Sequence, residues 1–198
     1  MAESKSKISP TQRLTESGIM LALSVVLNAF PVYQLPMGGG VTLFSQLPIV
    51  LISYRHGVKW GLFTGLAMGL IEMLFGLKNF SYVHGIVAYL VVALADYLIA
   101  FGALGLGGIF RGKVKNQAIA LAAGGALVSV LRFVCHFISG VTVWADYADG
   151  AKAVWIYSLT YNGSYMLAEL ILTVIGAAAL GAIFDFTSPR LRTLKKEG

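Results

Sequence analysis

Residues 117–140 read QAIALAAGGALVSVLRFVCHFISG, and their reading decides the fold class. A membrane-spanning helix needs about 20 predominantly apolar residues, and this run supplies them with one formal charge, Arg132. By insertion scales a charge at the centre of such a helix costs roughly 2.5–3.5 kcal/mol, so it persists where it pairs or binds. His136 lies one helical turn beyond Arg132, on the same face. The sequence that follows, VTVWADYADGAKAVWIYSLTYNGSY to residue 165, adds Trp144, Tyr157, Tyr161 and Asn162 within a short interval. The run is both a membrane span and one wall of a polar site.

The rest of the chain agrees with a membrane setting. Of its 198 residues 57% are hydrophobic and 12% charged, against about 45–50% and 25% in soluble domains. A mean hydropathy of +0.77 excludes a soluble globular domain. The single Cys135 excludes an intrachain disulfide and reads as a buried, inert thiol. The net charge of +6 does not point to nucleic acid, because the basic residues alternate between gaps. Lys5, Lys7 and Arg13 precede the first apolar segment, and Arg55 and Lys59 follow the second. Arg111, Lys113 and Lys115 precede the fifth, while Arg190, Arg192, Lys195 and Lys196 follow the last. The intervening gaps hold only Lys78 and Lys152. That is the positive-inside pattern of a multispanning protein.

Six apolar segments are expected: 14–30, 41–54, 58–77, 84–110, 117–140 and 158–186. The second is short and carries Pro48, so it is either tilted or broken. The predicted fold is an all-α integral membrane protein of six transmembrane helices with both termini cytoplasmic. Residues 1–13 form a cytoplasmic segment, 14–187 the transmembrane domain, and 188–198 a basic cytoplasmic tail. The N-terminus is polar through Arg13 and has no cleavable-signal pattern. Gly57, Gly61, Gly65 and Gly69 recur every fourth residue in the third segment, a stripe that lets another backbone approach closely. Gly18 and Ala22 make a similar stripe in the first, whose partner is either internal or another protein.

Orientation gives the polar residues a depth. Glu72 falls in the outer half of the third span, and Asp96 and Tyr97 in the outer half of the fourth or near its mid-depth. His136 lies near the outer end of the fifth, with Arg132 one turn deeper. Trp144, Asp146, Tyr147 and Asp149 occupy the following external loop, and Tyr157, Tyr161, Asn162 and Tyr165 open the sixth span. The candidates therefore converge on the outer half. Arg132 reads as a counter-ion for Asp96 or Glu72, while Trp155, Tyr147 and Tyr165 read as interface anchors. Glu169, deeper in the sixth span, is either a helix-to-helix bond or part of coupling. Aromatic rings with a carboxylate suit a flat, cationic heteroaromatic ligand. Asp96 offers the counter-charge, and Asn162, Tyr157 and His136 offer directional hydrogen bonds.

LRFVCHFISG, followed by Trp144 and VWIYSLTYNGSYM, resembles the thiamine-specific substrate-binding (S) components of energy-coupling factor transporters, the ThiT family. LPIVLISYRHGVKWGLFTGL and ADYLIAF resemble the same family, so the likeness runs from about residue 14 to 192. It implies a six-helix bundle that binds thiamine from outside and assembles with a transmembrane coupling protein and two cytosolic ATPases. It also implies that Asp96, Tyr97, His136, Trp144, Tyr157 and Asn162 contact the ligand. A further tyrosine between the third and fourth helices is Tyr82 or Tyr89. Some members bring a Trp and a Glu from the loop before the second helix; here that loop, LPMGGGVTLFSQ, offers neither. Gly18 and Ala22 match the small residues with which the first helix docks on the coupling protein.

Three other readings compete. One is an S component for another small vitamin. Another is a stand-alone ion-coupled transporter using Glu72, Asp96 and Glu169. The third is an intramembrane hydrolase built on His136 or Cys135, which lacks an HExxH pair or a Ser–His–acid arrangement. No phosphate-cradling loop is present: Gly108 to Val114, GIFRGKV, has the wrong spacing and no Ser or Thr after the Lys. The chain is therefore not expected to be an enzyme, and neither a metal nor a cofactor is expected.

Overall fold

The computed structural model of the protein describes residues 8–148 and 153–194. Lys5, Lys7, Asp149, Lys152, Lys195 and Lys196 lie outside the described residues. The chain folds into helices labelled here α1 (Pro10–Ala29), α2 (Leu47–His56), α3 (Val58–Phe75), α4 (Ile86–Gly108), α5 (Gln117–Thr142) and α6 (Val154–Ile183). Of these, α3 to α6 are long and apolar enough to cross a membrane. Two short antiparallel pairings complete the described residues: Tyr33–Gln34 with Gly40–Val41 (β1, β2), and Phe184–Asp185 with Arg192–Thr193 (β3, β4).

Local chemistry sets the helix ends. Ser9 caps α1 by accepting from the Gln12 backbone N–H at 3.1 Å, and Pro10 takes the first turn, where its missing N–H costs nothing. α1 thus begins four residues before the expected 14. Asn116 caps α5 in the same way through Ile119 N–H at 3.1 Å. The expected second segment, 41–54, is corrected most. Pro48 lies in the first turn of α2, so that helix starts at Leu47 and has 10 residues. Residues 40–46 instead pair with β1 and then turn into a polar network described below.

The α3 glycines act inside the fold. A Cβ at Gly65 would come 2.6 Å from the Phe101 carbonyl, and one at Gly69 2.8 Å from that of Tyr97, so α3 rests on the α4 backbone. On α5, Gly140 lies against Ser158 and Asn162, which brings the start of α6 close to the His136 turn. Gly18 has nothing within 4 Å of its missing side chain and faces outward with Ala22. Gly65→Val is expected to lower the melting temperature of detergent-solubilised protein by several degrees, since overpacking costs about 1–3 kcal/mol. Gly18→Val should leave it unchanged.

One end of the bundle is basic and tightly clamped. Arg55 makes a two-pronged pair with Glu16, at 2.6 and 2.9 Å, and donates to the carbonyls of Ser188 (2.7 Å) and Pro189 (2.9 Å). Arg111 donates to the Tyr54 carbonyl at 2.8 Å, and Gln117 joins α5 to Phe184 through a 2.6 Å bond. Arg13 lies over the Trp60 ring at 4.2 Å, while Trp60 Nε1 donates to Ser17 at 2.7 Å. The opposite end is hollow.

Candidate functional site

A cavity of about 360 Å³ opens among the far ends of α1 and α3, the middle of α4, the second half of α5 and the first half of α6, with the β1–β2 loop at its rim. That volume is typical of small-molecule sites. Asp96, Tyr97, His136, Trp144, Tyr157, Tyr161 and Asn162 all line it, together with Glu72 and Arg132. Within the lining, α4 winds as a π-helix from Val92 to Ile99. Such windings are rare and gather at functional sites; this one contains Asp96 and Tyr97, both on the cavity wall.

Asp96 is the hub. Its Oδ1 accepts from His136 Nδ1 at 3.1 Å, and its Oδ2 accepts from Ser139 Oγ at 2.7 Å and Trp144 Nε1 at 3.1 Å. A carboxylate only accepts, so Nδ1 carries a proton, and Nε2 accepts when the ring is neutral. That Nε2 is buried and has no protein partner. Asp96 therefore orients an imidazole and an indole while supplying negative charge to the cavity.

The aromatic wall is built on α6. Tyr157 and Tyr161 stack at 5.9 Å, and Tyr161 meets Tyr165 edge-on at 6.0 Å. The Tyr161 hydroxyl donates to the Pro36 carbonyl and accepts from Gly39 N–H at 3.2 Å, joining this wall to the rim loop. Asn162 donates to the His136 carbonyl at 3.2 Å and accepts from the Tyr165 hydroxyl at 2.9 Å. Tyr97 is held by Asn79, which donates to its hydroxyl at 2.9 Å.

Several expectations need correction. Arg132 forms no ion pair among the described residues; Asp96 takes its donors from His136, Ser139 and Trp144, and the guanidinium lies over the Phe101 ring at 4.4 Å. Tyr82 and Tyr89 are not on the cavity wall: Tyr82 packs behind Trp144 at 6.5 Å, and Tyr89 packs on Phe80 at 6.1 Å. Tyr165 is buried in the wall rather than anchored at an interface, while Trp155 is 57% exposed. Glu169, 2% exposed, has a defined partner set. It accepts from the Thr42 backbone N–H, from Thr42 Oγ1 at 2.7 Å and from Gln46 Nε2 at 2.8 Å, tying the chain before α2 to α6. Ser139 and Asn79 were missed, and Tyr165 was named as an anchor rather than a wall residue. Ser139 stands three residues after His136, and Tyr165 continues the four-residue spacing of Tyr157 and Tyr161, so both were legible as helical neighbours.

Residues 14–186 match the family described as thiamine transporter protein (Thia_YuaJ). The chain belongs to this thiamine transporter family. It is 38% identical to the thiamine transporter ThiT of Bacillus subtilis (strain 168) over 90% of this chain and 93% of that protein. It is 26% identical to ThiT of Lacticaseibacillus paracasei, covering 84% of this chain and 85% of that one. A solved structure of ThiT from Listeria monocytogenes superposes with a TM-score of 0.70 at 23% identity, over 85% of this chain and 92% of that one, and so shares its fold. This family member is a multi-pass transport protein of the bacterial cell membrane rather than an enzyme.

Proposed function

We propose that the chain is the thiamine-binding S component of an energy-coupling factor importer, taking thiamine into this cavity from outside the cell. The observation that carries this reading is the charge and shape of the cavity. The Asp96 carboxylate takes no Lys or Arg partner among the described residues and faces the cavity between aromatic walls, with Lys78 exposed, and thiamine is a flat heteroaromatic monocation. His136 Nε2 is a fitting acceptor for the exocyclic amine of its pyrimidine, and the tyrosine rings favour the thiazolium charge.

The basic end, with Arg55, Arg111, Arg190 and Arg192, belongs in the cytosol by the positive-inside pattern. That directs the cavity outward and puts both termini inside, with α1 as a further span and the 10-residue α2 packed beside α3. Delivery then depends on a transmembrane coupling protein and two cytosolic ATPases, as the likeness to S components implies. The outward-facing Gly18 and Ala22 supply the small-residue surface for that docking. Titration of the purified protein with thiamine, riboflavin and biotin, followed by tryptophan fluorescence, tests the substrate. Tight quenching by thiamine alone is expected; stronger quenching by riboflavin or biotin would overturn the assignment.

A further inference from the structure

We propose that Glu72 and Arg132 form a second polar subsite in the cavity, one that takes the uncharged hydroxyl end of the ligand and rejects its phosphate ester. This rests on the thiamine reading above and adds how the two ends of the ligand are told apart. Glu72 on α3 and Arg132 on α5 are each 8% exposed, and both line the cavity. Glu72 Oε2 accepts from Asn28 Nδ2, whereas its Oε1 is buried without a partner. Arg132 Nε is also buried without a partner, although its guanidinium is supported by Phe101 at 4.4 Å. Buried polar atoms are almost always satisfied, by protein, water or ligand. An open acceptor and an open donor on facing helices ask for a group that both donates and accepts.

An alcohol is such a group. Thiamine carries one on the ethyl arm of its thiazolium ring, remote from the pyrimidine. Arg132 and His136 are one turn apart on α5, about 6 Å along the axis, so the two ends of the ligand meet different residues. The hydroxyl donates to Glu72 Oε1 and accepts from Arg132 Nε–H. A phosphate ester satisfies Arg132 only, because it brings no proton to Glu72 at neutral pH and sets its own anionic oxygens against that carboxylate.

The test compares affinities for thiamine, its monophosphate and the analogue with hydrogen in place of the hydroxyl, using unaltered protein, Glu72→Gln and Arg132→Gln. Unaltered protein should favour thiamine over each of the other two by about tenfold, the worth of a hydrogen bond to a charged group. Glu72→Gln should narrow the preference over the monophosphate, and Arg132→Gln should widen it. If one variant fails to fold, the other still carries a required sign, and the hydrogen analogue needs only unaltered protein. A preference that stays constant or moves the same way in both variants overturns the subsite. So does equal binding of the hydrogen analogue. In either case the thiamine reading stands, whereas failure of unaltered protein to bind thiamine removes both.

Discussion

Asp96→Ala should weaken thiamine binding by roughly a hundred- to several-thousandfold, the equivalent of about 3–5 kcal/mol for breaking a buried charge arrangement. The size follows from the three donors that Asp96 holds. Its removal frees His136 Nδ1, Ser139 Oγ and Trp144 Nε1 at once, so an imidazole and an indole lose their orientation together with the charge that meets the cation. Asp96→Asn separates these parts. The amide keeps one acceptor oxygen but not the charge, and its loss should fall between unaltered protein and the alanine variant. Calorimetric titration of each solubilised protein gives the comparison. Unchanged affinity in Asp96→Ala would remove the role assigned to this carboxylate.

Gly18→Trp should abolish uptake and leave binding intact. Nothing lies within 4 Å of the position where its side chain would start, and neighbouring Ile19, Leu23 and Val26 are exposed, Val26 by 53%. A large ring there alters an outer face of α1 without touching the cavity. In vesicles holding the complete importer, ATP-driven accumulation of labelled thiamine should drop to background. The solubilised variant should still bind thiamine as tightly as unaltered protein. Loss of both activities would instead assign α1 a folding role.

These residues also show what a sequence can disclose about such a molecule. The long spans were legible because α5 needs only apolar length and a cap, and because the four-residue glycine rhythm of α3 states that another backbone lies against it. The cavity was legible as a gathering of Asp96, His136, Trp144, Tyr157 and Asn162, since helical spacing and depth carry them to one level. Two features were not. The chain before α2 is held by Glu169, which draws Thr42 and Gln46 into bonds across more than a hundred residues of chain. No local pattern in VTLFSQ records that pull. The direction of Arg132 was hidden likewise. The residue type discloses a charge in a span, but its partner depends on which donors reach Asp96 first, and His136, Ser139 and Trp144 occupy both carboxylate oxygens.

The three tryptophans occupy three different worlds. Trp60 is clasped by Arg13 and Ser17 at the clamped end, Trp155 points outward from the first turn of α6, and only Trp144 touches the cavity. Replacing Trp60 and Trp155 by Phe therefore leaves an optical reporter wired to Asp96, whose emission registers one event, the arrival of a guest. The protein carries its own stopwatch, and stopped-flow traces from that single indole would time capture and release without any added dye.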